Sequence, residues 1–380
     1  MKKIYIWVLV IVAATIGGIV ISDIVEKITH NEQRAKYIFL FIGDGMGLSH
    51  IAVTESYLSH QAGKLGGEQL TMTTLPYFGT ATTHSANKHV TCSSAAGTAI
   101  ACGEKTNNKM VGMNKDSVAI RSIAYELKDE GYKIGILSTV PVNHATPAAF
   151  YAHNIDRNNT YEISQEIPSS GFEFFAASGF LTIKGKSRDL PATDTYLEEN
   201  GYNVCYGLNE FKAEAENSER IVLCQVEGKG RDADEYISNK KQQIRLADML
   251  KAGMEFLGED EPFFFMCEGG RIDWEAHENN VMDMIEEIIE FDEAIKVAYE
   301  FYLQHPDETL IVVTADHETG GVSLVGDDST IKWDALEDGR SIGWTTTHHT
   351  GGQVPVFAIG QRAERFNGRM DNTDIKGKIL

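Results

Sequence analysis

Residues able to bind cations or attack an electrophile recur at the ends of short apolar runs in this sequence. The densest group is Pro262 to His277, PFFFMCEGGRIDWEAH, where large apolar residues stop at Glu268, two glycines, Arg271, Asp273 and His277. Asp273 and His277 are four apart, so on a helix both project from one face, as a pair of metal ligands must. Asp44 follows YIFLFIG, His144 and Thr146 follow a run that ends at Val140, Asp316 and His317 follow TLIVVT, and His349 precedes VPVFAI. Mixed Asp and His ligands suit zinc, and an all-oxygen subset suits magnesium. Asp44, Thr146, Glu268, Asp273, His277, Asp316, His317 and His349 are too many for one cation, and carboxylates buried without partners are costly. Ser93 and Ser94 open the small-residue stretch SSAAGTA. A serine at a helix start lies beside unpaired N–H groups and the positive end of the dipole, which favours an alkoxide or an anion, although N-capping is the commoner use. No histidine is near in sequence to act as its base, so a nucleophile here calls for a metal. Arg157 offers a planar fork that matches two phosphate oxygens. A multinuclear site beside such a serine and an arginine points to phosphoryl transfer through a covalent phosphoserine.

These residues need elements that bring them together. Strands are expected at 37–42, 133–140, 263–267, 309–314 and 354–359, from runs of apolar residues bounded by polar or glycine-rich turns. Helical patterns fall at 49–58, 117–130, 244–257 and 282–302, the last with an apolar face built from Ile285, Ile288, Ile289, Phe291, Ile295 and Ala298. Helices alternating with buried strands predict an α/β fold, with a mostly parallel central sheet flanked by helices. In such a sheet the strand ends share one edge, where ligands bind. Residues 158–240 differ in character, being rich in Glu, Lys, Ser and Gly with short apolar pieces, and read as an inserted cap region. The catalytic domain would then comprise 31–157 and 241–380.

The net charge of −21 disfavours nucleic acid or an anionic membrane surface as a partner. It leaves a small anionic substrate open, because bound cations reverse the local field. The five cysteines fit no zinc-ribbon or CxxC spacing, and Cys205 and Cys224 are left either paired or free. Met1-Lys2-Lys3 precedes an uncharged run over 4–22. This is an export signal, read as a cleaved peptide or a retained membrane anchor, and residues 1–30 are set apart from the fold. Both readings put the remainder outside the cytoplasm, in a periplasm or at the cell surface.

Six ordered motifs, FIGDGMG, SSAAGTA, HATPAAFYAHNIDR, EGGRIDWEAH, TADHETGG and HHTGGQVPVFAIG, together resemble the alkaline phosphatases. The resemblance runs from Tyr37 to near the C-terminus and is weak only over about 158–240. It implies a phosphomonoesterase with two zinc ions and one magnesium ion per chain, acting on small phosphomonoesters, with a homodimer common among relatives. By resemblance, Ser94 is the nucleophile and Arg157 the phosphate clamp. Asp273, His277 and His349 would bind one zinc, and Asp44, Asp316 and His317 the other. Asp44, Thr146 and Glu268 would hold magnesium.

Three positions depart from the family pattern. Ser93 stands where many relatives have an aspartate that orients the arginine. His144 stands where some have an aspartate near magnesium, which opens the third position to zinc or cobalt. Trp274 stands where some have a basic residue. Sulfatases of the same broad superfamily carry a Cys-x-Pro-x-Arg or Ser-x-Pro-x-Arg nucleophile motif, which CSSAA lacks. Diesterases more often use threonine as nucleophile. A metal- or phosphate-binding protein without turnover is the reading outside catalysis, and the presence of both Ser94 and Arg157 argues against it.

Overall fold

The computed structural model describes residues 34–225, 244–325, 333 and 341–380. Its centre is a ten-stranded sheet. The strands are β1 (Tyr37–Gly43), β2 (Tyr77–Thr82), β3 (Lys133–Ser138), β4 (Phe174–Ala177), β5 (Asn203–Tyr206), β6 (Ile221–Cys224), β7 (Phe263–Gly269), β8 (Thr309–Thr314), β9 (Val354–Gly360) and β10 (Gly368–Asp371). Their order across the sheet is β10-β2-β9-β8-β1-β7-β3-β4-β6-β5. Every pairing is parallel except those of β9, which runs against both β2 and β8. The mostly parallel α/β sheet is therefore as expected, and helix α1 (Leu48–Gln61) follows β1.

Central parallel strands are covered on both faces, so they read as unbroken apolar runs instead of alternating ones. Every residue of β1 and β7 is buried. Phe263 and Phe265 point to one face, where α6 (Val281–Tyr302) packs Phe301 against Phe263 and Phe291 against Phe41. Phe264 points to the other face and meets Phe150. Each buried phenylalanine contributes roughly 1.5–3 kcal/mol. Two glycines allow the closest packing: a Cβ on Gly135 of β3 would lie 2.2 Å from the Phe265 ring, and one on Gly253 of α4 (Leu246–Leu257) would lie 2.8 Å from the same ring.

The structure departs from expectation at three points and settles a fourth that the sequence left open. Residues 158–225 are not set apart as a cap. Their short apolar pieces form β4, β5 and β6, which extend the sheet in parallel from β3. Four-residue strands are too short to show a period, so polar flanks dominated their reading. The helix expected over 117–130 is α3 (Ile123–Asp129), entered through Ser122, whose side chain caps the Tyr125 N–H. Upstream, Met113 bridges Ala119 and Ser117 has a positive φ of 62°, so the chain there is a tight loop. Two strands, β2 and β10, were not expected at all. Cys205 and Cys224 carry free thiols. Cys205 pairs in register with Leu223, so Cys224 faces the opposite side of the sheet.

The expected anchor at 4–22 lies outside the described residues. Among the described residues, no helix is long and apolar enough to cross a membrane.

Candidate active site

The parallel strands deliver their C-terminal ends to one edge. Asp44 leaves β1, Glu268 lies one residue from the end of β7, and Asp316-His317 leave β8. The antiparallel run of β9 explains the histidine that precedes a strand. Val356 pairs with Thr314, so the N-terminal approach to β9 reaches the same edge as the C-terminal end of β8. There His349 and Thr350 pair with Glu318 and Thr319 as a short antiparallel ladder.

Helix α5 (Arg271–His277) follows β7 and presents Asp273 and His277 from one face, with His277 Nε2 3.3 Å from Asp273 Oδ2. Gly269 and Gly270 have negative or unremarkable φ, so they do not serve as conformational freedom for the turn. Their role is space: a Cβ on Gly270 would lie 2.6 Å from Val140, and one on Gly269 would lie 2.8 Å from Phe291. Gly45 does need its φ of +74°, and a Cβ there would lie 2.9 Å from the Asp273 backbone and the Thr319 hydroxyl.

The histidines are oriented by what their outer nitrogens touch. His277 Nδ1 lies 2.6 Å from the Thr347 carbonyl, and His349 Nδ1 lies 2.9 Å from the Thr91 carbonyl. A carbonyl only accepts, so each Nδ1 is the donor and each Nε2 is turned inward. The two Nε2 atoms are 3.1 Å apart, and His349 Nε2 is 3.6 Å from Asp273 Oδ1. His317 Nε2 faces Asp44 Oδ1 at 3.2 Å, Asp316 Oδ2 at 3.3 Å and the Ser93 hydroxyl at 3.2 Å. Donor atoms of Asp273, His317 and His349 converge, as do those of Asp44, Asp316 and His317 and those of Asp44, His144 and Glu268.

These sets fit cations. Both oxygens of Asp44, Glu268 Oε1, Asp316 Oδ2, Thr146 Oγ1 and His144 Nδ1 are buried without a hydrogen-bond partner. The orphaned carboxylate oxygens of Asp44, Glu268 and Asp316 are untenable in one place unless cations are shared among them. Burial, then the neighbouring carboxylates Asp316, Asp273 and Glu268, hold the Asp44 carboxyl far above its ordinary range. Burial pushes Glu268 up to about 8 against the bond from Ser138, and burial and Asp273 push Asp316 up to about 7. The hydrogen bond to Asp273 raises His277 to about 9. Burial and the neighbouring His349 ring hold His317 well below the ordinary imidazole range.

A pH effect follows for the metal-free chain. Folded Glu268, Asp316 and His277 each hold a proton more tightly than their ordinary values of 4.5, 3.8 and 6.5. The folded state therefore binds more protons than the unfolded one, and stability falls as pH rises. The His277 contribution is complete below 6.5 and lost through about 9, while those of Glu268 and Asp316 are complete below about 4 and lost through about 8 and about 7. Chelator-treated protein should melt at progressively lower temperature from pH 6.5 to about 9, and reloading with Zn²⁺ should flatten the profile. A melting temperature that climbs with pH in the metal-free state would contradict this assignment.

Ser93 and Ser94 begin α2 (Ser93–Cys102), and both are buried. Gly97 lets this helix approach the Thr146 backbone to 3.3 Å from where its Cβ would be. The Ser94 hydroxyl lies 3.2 Å from the Cys92 thiol. Arg157 donates from Nη1 to Ser93 Oγ at 3.3 Å and from Nη2 to His144 Nε2 at 2.9 Å. Trp274 meets His144 edge-on, with ring centres 5.8 Å apart. Ser93, Arg157, His144 and Trp274 thus lie together at this edge, and His144 converges with Asp44 and Glu268, while His317 and not His277 converges with Asp273 and His349.

Thr319 was not singled out. Its hydroxyl donates to Asp273 Oδ1, and so accepts from His317 Nδ1 at 3.2 Å. One hydroxyl thereby orients ligands of two adjoining sets. The available signal was the i, i+2 spacing from His317 on extended chain, which puts both side chains on one face. Thr319→Val should weaken zinc binding about 10- to 100-fold in chelator competition, with Thr319→Ser restoring most of it. Unchanged zinc affinity in Thr319→Val would remove Thr319 from this role.

Fold and edge together define an α/β enzyme whose polar site is collected from strand ends. The family model described as alkaline phosphatase matches residues 35–178, 193–340 and 327–380. Alkaline phosphatase 4 of Bacillus subtilis is 28% identical, over 92% of this chain and 89% of that protein. The solved alkaline phosphatase from the Antarctic bacterium TAB5 is 32% identical, with a TM-score of 0.78 over 92% of this chain and 97% of that one. A mutant of the TAB5 enzyme, solved with Mg bound in its M3 site, superposes equally well, with a TM-score of 0.78. The chain belongs to the alkaline phosphatase family, and is a phosphomonoester hydrolase.

Proposed function

We propose that this hydrolysis is metal-dependent and proceeds through a phosphoserine on Ser94. The observation that carries the reading is the crowd of buried, donor-less acceptors beside a helix-start serine and an arginine. Asp273, His277 and His349 would hold one zinc, and Asp44, Asp316 and His317 a second. Asp44, Thr146 and Glu268 would hold the third cation, and the imidazole of His144 beside them favours zinc or cobalt over magnesium there. Bound cations supply Lewis acidity, lowering the pKa of oxygens in contact and offsetting charge on the phosphoryl group.

The chain's own residues do the rest. Arg157 clamps two non-bridging phosphate oxygens through its fork and fixes the phosphorus in line with Ser94. The helix start directs free N–H groups of α2 at the same charge. Ser94 Oγ bonds to phosphorus as the ester P–O bond breaks, and the serine proton is returned to the departing alkoxide through solvent. Water then cleaves the phosphoserine, giving inorganic phosphate and restoring the Ser94 hydroxyl. Ser93, between Arg157 and His317, tethers the guanidinium near the ligands without adding a charge. The apolar run at 4–22 behind two lysines supports export of the protein, by cleaved signal or retained anchor.

The test is hydrolysis of a simple aryl phosphomonoester and of the matching diester, with and without chelator. Chelator-sensitive turnover that strongly prefers the monoester is expected. Full activity in excess chelator would defeat metal dependence.

A further inference from the structure

We propose that His144 is a switch for Arg157: a cation coordinated by His144 in the third ligand set breaks the His144–Arg157 hydrogen bond and frees the arginine for phosphate. The proposal rests on the metal-dependent reading above.

Protons and lone pairs on the two side chains fix which atom donates. A guanidinium has only donors, so in the Arg157 Nη2 to His144 Nε2 contact at 2.9 Å the imidazole nitrogen must accept. A neutral imidazole has one N–H and one in-plane lone pair, so the proton sits on Nδ1. That Nδ1 is buried and has no partner. His144 also offers a ligand atom that lies within 4.8 Å of those of Asp44 and Glu268. A cation must be bound through a lone pair. If it takes Nε2, the lone pair that Arg157 used is gone and the Nδ1 proton stays in place. If it takes Nδ1, that proton moves to Nε2 by way of solvent, and N–H then faces N–H across 2.9 Å. The charge on the ring is the same before and after, and the bond to Arg157 is lost by either route.

The arginine is not released altogether. Its Nη1 still donates to Ser93 Oγ at 3.3 Å, so the guanidinium pivots about Ser93, and Nη2 is left facing the site with no acceptor. A phosphate oxygen is the acceptor of the matching charge. Occupancy of the third set and phosphate binding are then coupled, and the coupling is the same in both directions. Trp274, edge-on to His144, carries no positive charge with which to compete for that phosphate.

The experiment uses the full chain loaded with two Zn²⁺, with Co²⁺ as the third cation and inorganic phosphate as the anion. Calorimetry reads phosphate affinity with and without Co²⁺, and the visible absorption of Co²⁺ reads its own affinity with and without phosphate. Each should tighten the other by about 10-fold, the size of one hydrogen bond to a charged group. In His144→Ala the two-zinc form should bind phosphate about 10-fold more tightly than two-zinc wild type, because nothing holds Arg157 back. Equal or weaker binding by a His144→Ala protein that retains two zinc ions overturns the switch. In Arg157→Ala the mutual tightening should shrink to about 2-fold or less, the residue of simple charge attraction. That arm decides the matter if His144→Ala loses its zinc: a factor equal to wild type in Arg157→Ala overturns the proposal. A wild-type chain that takes up no zinc sinks the metal-dependent reading itself, whereas two bound zinc ions with uncoupled phosphate sink the switch alone.

Discussion

Replacing Ser94 with alanine is expected to lower kcat for a phosphomonoester by at least about 10³-fold, while metal content and folding stay near wild type. The contrast comes from what the hydroxyl touches. Among the described residues, the hydrogen-bond contact of Ser94 Oγ is with the Cys92 thiol at 3.2 Å. Alanine is a better helix residue than serine, and α2 continues through Ala95 and Ala96, so the helix start should survive. Loss of one weak contact costs under about 1 kcal/mol. Steady-state kinetics, zinc content and a melting curve on the same preparation check the prediction. A protein that still turned over within tenfold of wild type would remove Ser94 from the chemistry.

Asp44→Asn should act in the opposite way, through the metals. Asp44 contributes to two of the three ligand sets, one with Asp316 and His317 and one with His144 and Glu268. An amide keeps the shape of the side chain and removes its charge. Two positions should therefore empty together, with a loss of roughly 10³-fold or more in kcat, since a cation at a phosphoryl centre is worth several kcal/mol. The metal-free variant should nevertheless melt higher than metal-free wild type. Asp44 is fully buried, neither of its oxygens has a partner, and its carboxyl is held far above its ordinary range by burial and three nearby carboxylates. Removing that charge relieves the repulsion. Reduced metal content together with a lower metal-free melting temperature would point to structural damage instead.

Much of the site was legible because it sits where the fold makes sequence simple. Central strands β1, β7 and β8 are covered on both faces, so each is a continuous apolar run, and the first polar residues after it mark the active edge. Asp44, Glu268, Asp316 and His317 could be placed from that alone. His349 was harder, since it precedes its strand; the antiparallel direction of β9 brings it to the same edge, and no local pattern encodes that direction. Strands β2 and β10 were not legible. YFGTAT and GRMD have no apolar run, and what fixes them is their neighbours: a Cβ on Gly79 would lie 2.3 Å from the Phe366 carbonyl oxygen. Residues 158–225 were misread for a related reason, since four-residue strands at the sheet's margin carry too little pattern to outweigh their polar surroundings. The bonds that join Thr319 to Asp273 and Arg157 to His144 span 46 and 13 positions, which no local pattern records; only the contact of Thr319 with His317 is local.

On this mechanism Ser94 itself carries the phosphoryl group. Its most direct test is acid quenching of the zinc-loaded enzyme during turnover of a phosphomonoester, followed by peptide mass spectrometry across residues 88–105. A phosphorylated peptide is expected, with the modification on Ser94, absent from Ser94→Ala and from chelator-treated protein. Sustained hydrolysis with that peptide unmodified at every quench time, under conditions that preserve phosphoserine, would contradict it.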